Sequence, residues 1–212
     1  MVEATQPRRL TPKGQATRAR ILEAAIALIA RQGVAGTSVE DVRAAAEVSG
    51  SQLYHYFDSK QALIRAVITR QAESLLDPSL PRISTLDSFD ALRAWADAAI
   101  DQQRQSDCRG CSLGSLAGEL SVSDEESRGD LADGFLQWKD LILNGLNAMR
   151  DRGELRADAD LEQLAFALLS ALQGGVLLSQ TMLDVRPLEA AMDATLAHIG
   201  SFLTDPVGLP GR

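Results

Sequence analysis

The chain has 212 residues, enough for one large or two modest domains with a sizeable core. Hydrophobic residues at 45% and charged residues at 24% are ordinary for a soluble globular protein, while aromatics are few at 4% and the net charge is −8. No apolar stretch is expected to reach the roughly 18–20 residues that span a bilayer, and a signal-peptide h-region and alternating strand-like runs are both missing, which predicts an all-α cytoplasmic protein without membrane partners.

The charge is unevenly spread. Residues 1–60 hold 8 Lys/Arg against 6 Asp/Glu, whereas residues 61–212 hold 13 against 23. A mildly basic end on an acidic body suits a chain that meets phosphate at one end and repels it elsewhere.

The opening tail, through Pro7-Arg8-Arg9 and Pro12-Lys13-Gly14, is predicted to be disordered when free. Its cations are either simply solvated or available to phosphates and a minor groove. Thr17 is the expected cap of a first helix with Ile21, Leu22, Ala25, Leu28 and Ile29 at helical spacing, broken by Gly33 and Gly36. Thr37 and Glu40 read as a capping box that starts a second helix at Ser38 and continues to about Ala46, with Val39, Val42 and Ala46 facing inward. After Glu47-Val48, Ser49 and Gln52 read as another capping box. Leu53 and Phe57 fall one turn apart and face a core, leaving Ser51, Gln52, Tyr54 and His55 outward, with Lys60 just beyond the turn. Two short helices with so brief a connector describe a helix-turn-helix, and the polar, hydroxyl-rich face of the second suits a DNA major groove.

The remainder is predicted to be helical throughout. A helix starting at Asp58 or Ser59 carries Leu63, Ile64, Val67, Ile68 and Leu75 and ends at Asp77-Pro78, followed by a loop over 78–85. Further helices are expected from about Asp87 to Gln105, over Leu113–Leu120, from a Ser123/Glu126 capping box to about Arg152, and from about Asp160 to Leu183. A last one has Pro187 in its first turn. The 160–183 helix is apolar around much of its girth and so must bury more than one side. The last two helices could therefore pair with the same two of a second copy as a four-helix bundle. Gly174-Gly175 inside the longer one costs about 1 kcal/mol per glycine in helix propensity and suits close packing. The segment from Asp205 reads as an unstructured end.

Residues 17–68 resemble the DNA-binding domain of the TetR family of transcriptional regulators. The matching blocks are Ile21-Leu22-Glu23-Ala24-Ala25, Gly33, Gly36-Thr37-Ser38-Val39-Glu40-Asp41-Val42, Leu53-Tyr54-His55-Tyr56-Phe57 and Ser59-Lys60. Gly50 and Ser51 stand where family members often carry a lysine and then a glycine, so base preference is not carried over. The resemblance implies an N-terminal three-helix helix-turn-helix domain over 15–60 and a C-terminal helical ligand-binding and dimerisation domain over 61–205. The DNA-contacting residues it implies, together with the motif, are Thr37, Ser38, Ser49, Gly50, Ser51, Gln52, Tyr54, His55 and Lys60. It further implies a homodimer, a double-stranded operator and a small-molecule effector. Trp95, Phe135, Trp138 and Gln173 would lie around the effector pocket with Cys111 between them, and an apolar pocket would suit an aromatic or lipophilic effector.

Cys108-Arg109-Gly110-Cys111 is a lone C-x-x-C without the further ligands of a zinc site or the βαβ setting of a thioredoxin-like motif. No metal or cofactor is expected. The segment Gly110-Cys111-Ser112-Leu113-Gly114-Ser115-Leu116 is similar to one TetR branch that includes electrophile and oxidant sensors. A thiol-based repressor using Cys111 is therefore the alternative to noncovalent effector binding. Arg109 beside it would favour thiolate; a small residue at a helix start is the plainer reading. With no G-x-S-x-G, Walker A, G-x-G-x-x-G or H-E-x-x-H pattern, an enzyme is not expected.

Overall fold

The computed structural model describes residues 10–75 and 86–204. They form nine helices: α1 Pro12–Gly36, α2 Val39–Ala45, α3 Gly50–Tyr56, α4 Lys60–Leu75, α5 Phe89–Gln105, α6 Ser112–Leu120, α7 Glu125–Asp151, α8 Leu161–Met182 and α9 Arg186–Gly200. The expected 78–85 loop, the cations at Arg8-Arg9 and the end from Asp205 lie outside the described residues. The chain divides into two compact units between Arg70 and Gln71, so α4 carries it from one to the other.

Three helix starts differ from the sequence expectation. α1 begins at Pro12, because the Thr11 hydroxyl accepts from the Gly14 N–H at 3.2 Å and Pro12 sits where a helix lacks a use for an N–H. Thr17 lies inside the helix, donating to the Lys13 carbonyl at 3.0 Å, and Pro12-Lys13-Gly14 is a first turn, not a tail. The box at α2 forms one residue late. Ser38 accepts from the Asp41 N–H at 3.1 Å, and Asp41 accepts from the Ser38 N–H at 3.0 Å. Thr37 instead donates to the Gly33 carbonyl at 2.8 Å, closing the end of α1 where Gly33 is left-handed at φ 72. At α7 the cap is Asp124, whose carboxylate accepts from the Glu126 and Ser127 N–H groups, while Ser123 donates backward to the Glu119 carbonyl. A carboxylate suits the positive end of the helix dipole better than a hydroxyl.

The first unit packs α1–α4 around Ile21, Ala25, Val42, Ala46, Leu53, Phe57, Val67 and Ile68. In the second, α5, α7, α8 and α9 share a core built from Leu92, Trp95, Trp138, Ile142, Leu146, Met149, Leu168, Leu172, Leu188 and Met192. The two glycines of α8 have different tasks. Gly175 meets α9 so closely that an added Cβ would lie 2.8 Å from Leu188 Cα, whereas an added Cβ on Gly174 would meet nothing within 4 Å.

α8 overturns one expectation from the sequence. It has 22 residues, and an 18-residue window within it has a mean hydropathy of 1.5, long and apolar enough to cross a membrane by length and composition alone. Its isolated Gln and Ser residues interrupt the apolar run without lowering the mean below that level. The inner face, Leu164, Leu168, Leu172 and Val176, is buried in the core of the unit, which accounts for that apolarity within a packed domain.

Candidate DNA-reading face and effector core

α2 and α3 are joined by Ala46-Glu47-Val48. Ala46 and Val48 are buried, and Glu47 takes a left-handed turn at φ 52. Arg43 braces the corner, donating to the Val48 carbonyl at 3.4 Å and pairing with Glu40. α3 then starts on the capping box that the sequence indicated: the Gln52 N–H donates to Ser49 Oγ at 3.1 Å, and the Ser49 N–H donates to Gln52 Oε1 at 2.9 Å. Burial of Leu53 and Phe57 turns Ser51, Gln52, Tyr54 and His55 outward, and all four are exposed. Tyr54 keeps 54% of its surface in solvent and is the only large apolar ring on that face. His55 packs edge-on against Tyr56, with centroids 5.0 Å apart.

Ser38, Ser49 and the outward residues of α3 thus line the exposed side of the motif. Two of the residues singled out from sequence have internal duties. Thr37 is buried at 4% exposure and bonded to Gly33. Lys60 Nζ, at the start of α4, donates to the Val34 carbonyl at 3.0 Å, tying the end of α1 to the start of α4; a lysine in a phosphate-facing motif gives no sequence signal of that second bond. Gln52 commits its carbonyl oxygen to the cap and keeps its amide N–H groups for a partner.

In the second unit the candidate effector residues make two pairwise contacts, one between the two tryptophans and one between Gln173 and Cys111. Trp95 on α5 and Trp138 on α7 meet edge to face, with centroids 6.5 Å apart and planes at 85°. Phe135 and Cys111 are partly buried against the same core cluster. Gln173 on α8 reaches the start of α6, its Nε2 3.7 Å from Cys111 Sγ. Both cysteines are free thiols, Cys108 buried and Cys111 half-buried at the N-cap of α6.

The loop that carries them is held from several sides. Buried Gln103 clamps Gly110, donating to its carbonyl and accepting from its N–H, each at 3.2 Å. Asp107 and Cys108 both adopt left-handed backbone, at φ 51 and 55. Ser112 donates to Gln71 Oε1 at 3.0 Å, linking the start of α6 to the last turn and a half of α4. Sequence reasoning passed over Gln103, because a glutamine at that position on an amphipathic helix looks like a solvated side chain.

A helical head with an exposed polar reading helix, followed by a helical body with a shared aromatic core, defines a transcriptional regulator of the helix-turn-helix class. The model for bacterial regulatory proteins of the tetR family matches residues 21–67, and that for the tetracyclin repressor-like C-terminal domain matches residues 88–195. A HTH-type transcriptional regulator in the lacX 3′ region of Lactococcus lactis subsp. lactis is 31% identical, over 84% of this chain and 90% of that one. The HTH-type transcriptional repressor DhaR of Mycobacterium sp. strain GP1 is 27% identical, over 81% and 86%. Among solved structures, a TetR-family regulator from Cytophaga hutchinsonii superposes with a TM-score of 0.76 at 19% identity, covering 93% of this chain and all of that one. The reduced form of Escherichia coli NemR superposes with a TM-score of 0.75 at 23% identity, covering 91% of this chain and all of that one. The chain belongs to the TetR family of transcriptional regulators.

Proposed function

We propose that the chain is a repressor that binds a palindromic operator as a homodimer and leaves it when a small, largely apolar molecule enters the second unit. The observation that carries the DNA half is the capped α3, with Ser51, Gln52, Tyr54 and His55 exposed along one side. Two such helices in a dimer would enter major grooves about one turn, 34–36 Å, apart. The dimer half is supported by an exposed apolar strip on α8: Leu177, Leu178 and Met182 are exposed, as is Phe166, whose ring also lies under Lys139 Nζ, and Gly174 lies among them. The exposed Ala190, Ala194 and Ala197 of α9 add a row of small side chains that would let a second copy approach closely. Operator DNA as partner places the protein in the cytoplasm. Sedimentation with a gel-shift titration on the DNA upstream of its own gene tests the reading; a monomer without preference for any such DNA would sink it.

A thiol-triggered form of the same reading is favoured by one contact, the Gln173 amide against half-buried Cys111 Sγ. Modification of that sulfur would break a link between α6 and α8. Noncovalent entry is the reading we adopt, because the core around the two tryptophans is apolar independently of the thiol. Under it, Cys111→Ser releases DNA to an effector as wild type does. Under the thiol form the same variant stays on DNA when challenged with an electrophile or hypochlorite.

A further inference from the structure

Buried polar side chains in the second unit are few, and almost all are committed. Gln103 clamps Gly110, Ser127 donates to Asp124 at 2.7 Å, and Ser179 Oγ accepts from the Leu188 N–H at 3.3 Å. Lys139 is held by Asp140 at 2.6 Å and Glu162 at 3.6 Å. The exception is Trp138 Nε1, which is buried and has no hydrogen-bond partner among the described residues. Trp138 itself is 6% exposed and sits in the shared core against Trp95. An indole N–H only donates, and a buried donor without an acceptor forfeits its hydration with nothing in return. Such donors are rare in folded proteins and point to an acceptor from outside the chain.

We propose that Trp138 Nε1 is the hydrogen-bond donor of the effector site, and that the effector is a neutral, largely apolar molecule carrying a carbonyl-type acceptor. The proposal takes its regulatory meaning from the function proposed above. Neutrality follows from the charges around the core: the unit's buried cation, Lys139, is already paired with two carboxylates. An anionic acceptor would enter without a counter-charge and lose more hydration than one hydrogen bond restores. A largely apolar body follows from the surroundings of the donor, where Trp138 meets Trp95 edge to face among the aliphatic side chains of the shared core. The same donor supplies the switch. In the form described here the N–H is unpaired, and a form that admits the ligand pairs it, so the ligand binds the two forms with different affinity and shifts their balance.

The test uses the full chain, 15N-labelled at tryptophan, and two neutral probes of matched shape, 2-acetylnaphthalene and 2-ethylnaphthalene. The acetyl probe should bind about tenfold tighter by calorimetry, the worth of one neutral hydrogen bond in a dry site. It alone should move the Trp138 Nε1–H resonance downfield. Trp138→Phe, which keeps a ring and removes the donor, should bring the two affinities together. Equal affinity in wild type, binding of neither probe, or a preference that survives Trp138→Phe would each overturn the proposal. So would an Nε1–H resonance that saturating acetyl probe leaves in place, as a retained buried water would produce. The wild-type resonance decides the matter even if the variant folds poorly. All of this is read without DNA: a chain that shows the probe preference but binds no operator would refute the regulatory reading and leave the site standing.

Discussion

At the scale of single residues, exposure separates the side chains proposed to read DNA from those that hold the motif in shape. Tyr54, more than half exposed, contributes little to folding, so Tyr54→Ala should leave the thermal midpoint within about 2 °C, since exposed substitutions usually stay within about ±0.5 kcal/mol. Operator affinity should fall about tenfold, the lower part of the range for a lost base or phosphate contact. Lys60→Ala should behave differently. It removes the bond to the Val34 carbonyl as well as any phosphate contact, so a gel shift and a melting curve should both register it, with the salt slope reduced by about one. Unchanged melting in Lys60→Ala would mean that the α1–α4 tie is energetically idle. Gln52→Ala should cost about 1 kcal/mol through the cap, and any change in base preference must come through its amide N–H groups alone.

Acid should loosen the same motif in a defined direction. Hydrogen bonds from the Ser38 hydroxyl, and then from the Ser38 backbone N–H, hold the Asp41 carboxyl below its ordinary value. The folded value being the lower one, the contribution is fully present above the unfolded Asp value of about 3.9 and disappears as pH falls through the folded value. Wild type should therefore melt higher than Asp41→Asn at pH 6, and the gap should narrow towards pH 3. A gap that is constant with pH would mean that the carboxylate charge is irrelevant to the cap.

Among the helices, existence and order were legible in the residues, whereas caps were legible only where one residue had no rival. Ser49 and Gln52 had none, and the box formed where the spacing placed it. Thr37 and Ser38 are adjacent candidates, as are Ser123 and Asp124, and spacing alone does not choose between them. The choice at α2 is made by the end of α1, where Thr37 is drawn back four residues to the carbonyl of a left-handed Gly33. Trp138's orphaned N–H was illegible because it depends on what other helices bring near, and the Gln103 clamp because it depends on how the loop after α5 turns back to Gly110. The paired glycines of α8 turn this difference into a prediction. Gly175→Ala pushes a methyl against the backbone of Leu188 and should destabilise by about 1–3 kcal/mol. Gly174→Ala meets nothing within the chain and should stabilise the isolated helix by about 1 kcal/mol. At protein concentrations low enough to dissociate the proposed dimer, chemical denaturation of the two variants should move in opposite directions, and movement of both the same way would contradict the packing described.

For the whole molecule, the charge distribution and the apolar strip make one joint demand. An acidic body disfavours DNA, so the mildly basic head must work where attraction is modest, and the two heads of the proposed dimer would recover affinity that one head lacks. Leu177 and Leu178, both more than half exposed on α8, are where the second copy would be lost first. A doubly substituted chain, Leu177→Glu with Leu178→Glu, places two carboxylates on that strip and should sediment as a monomer while keeping its helical circular dichroism. Binding to a palindromic operator should weaken at least a hundredfold, and the slope of log affinity against log salt should fall by about half, because one head contacts half the phosphates. Binding to a single half-site should be unchanged. A substituted chain that remains dimeric would move the interface away from α8, and a monomer that held the palindrome at full affinity would remove the need for a dimer.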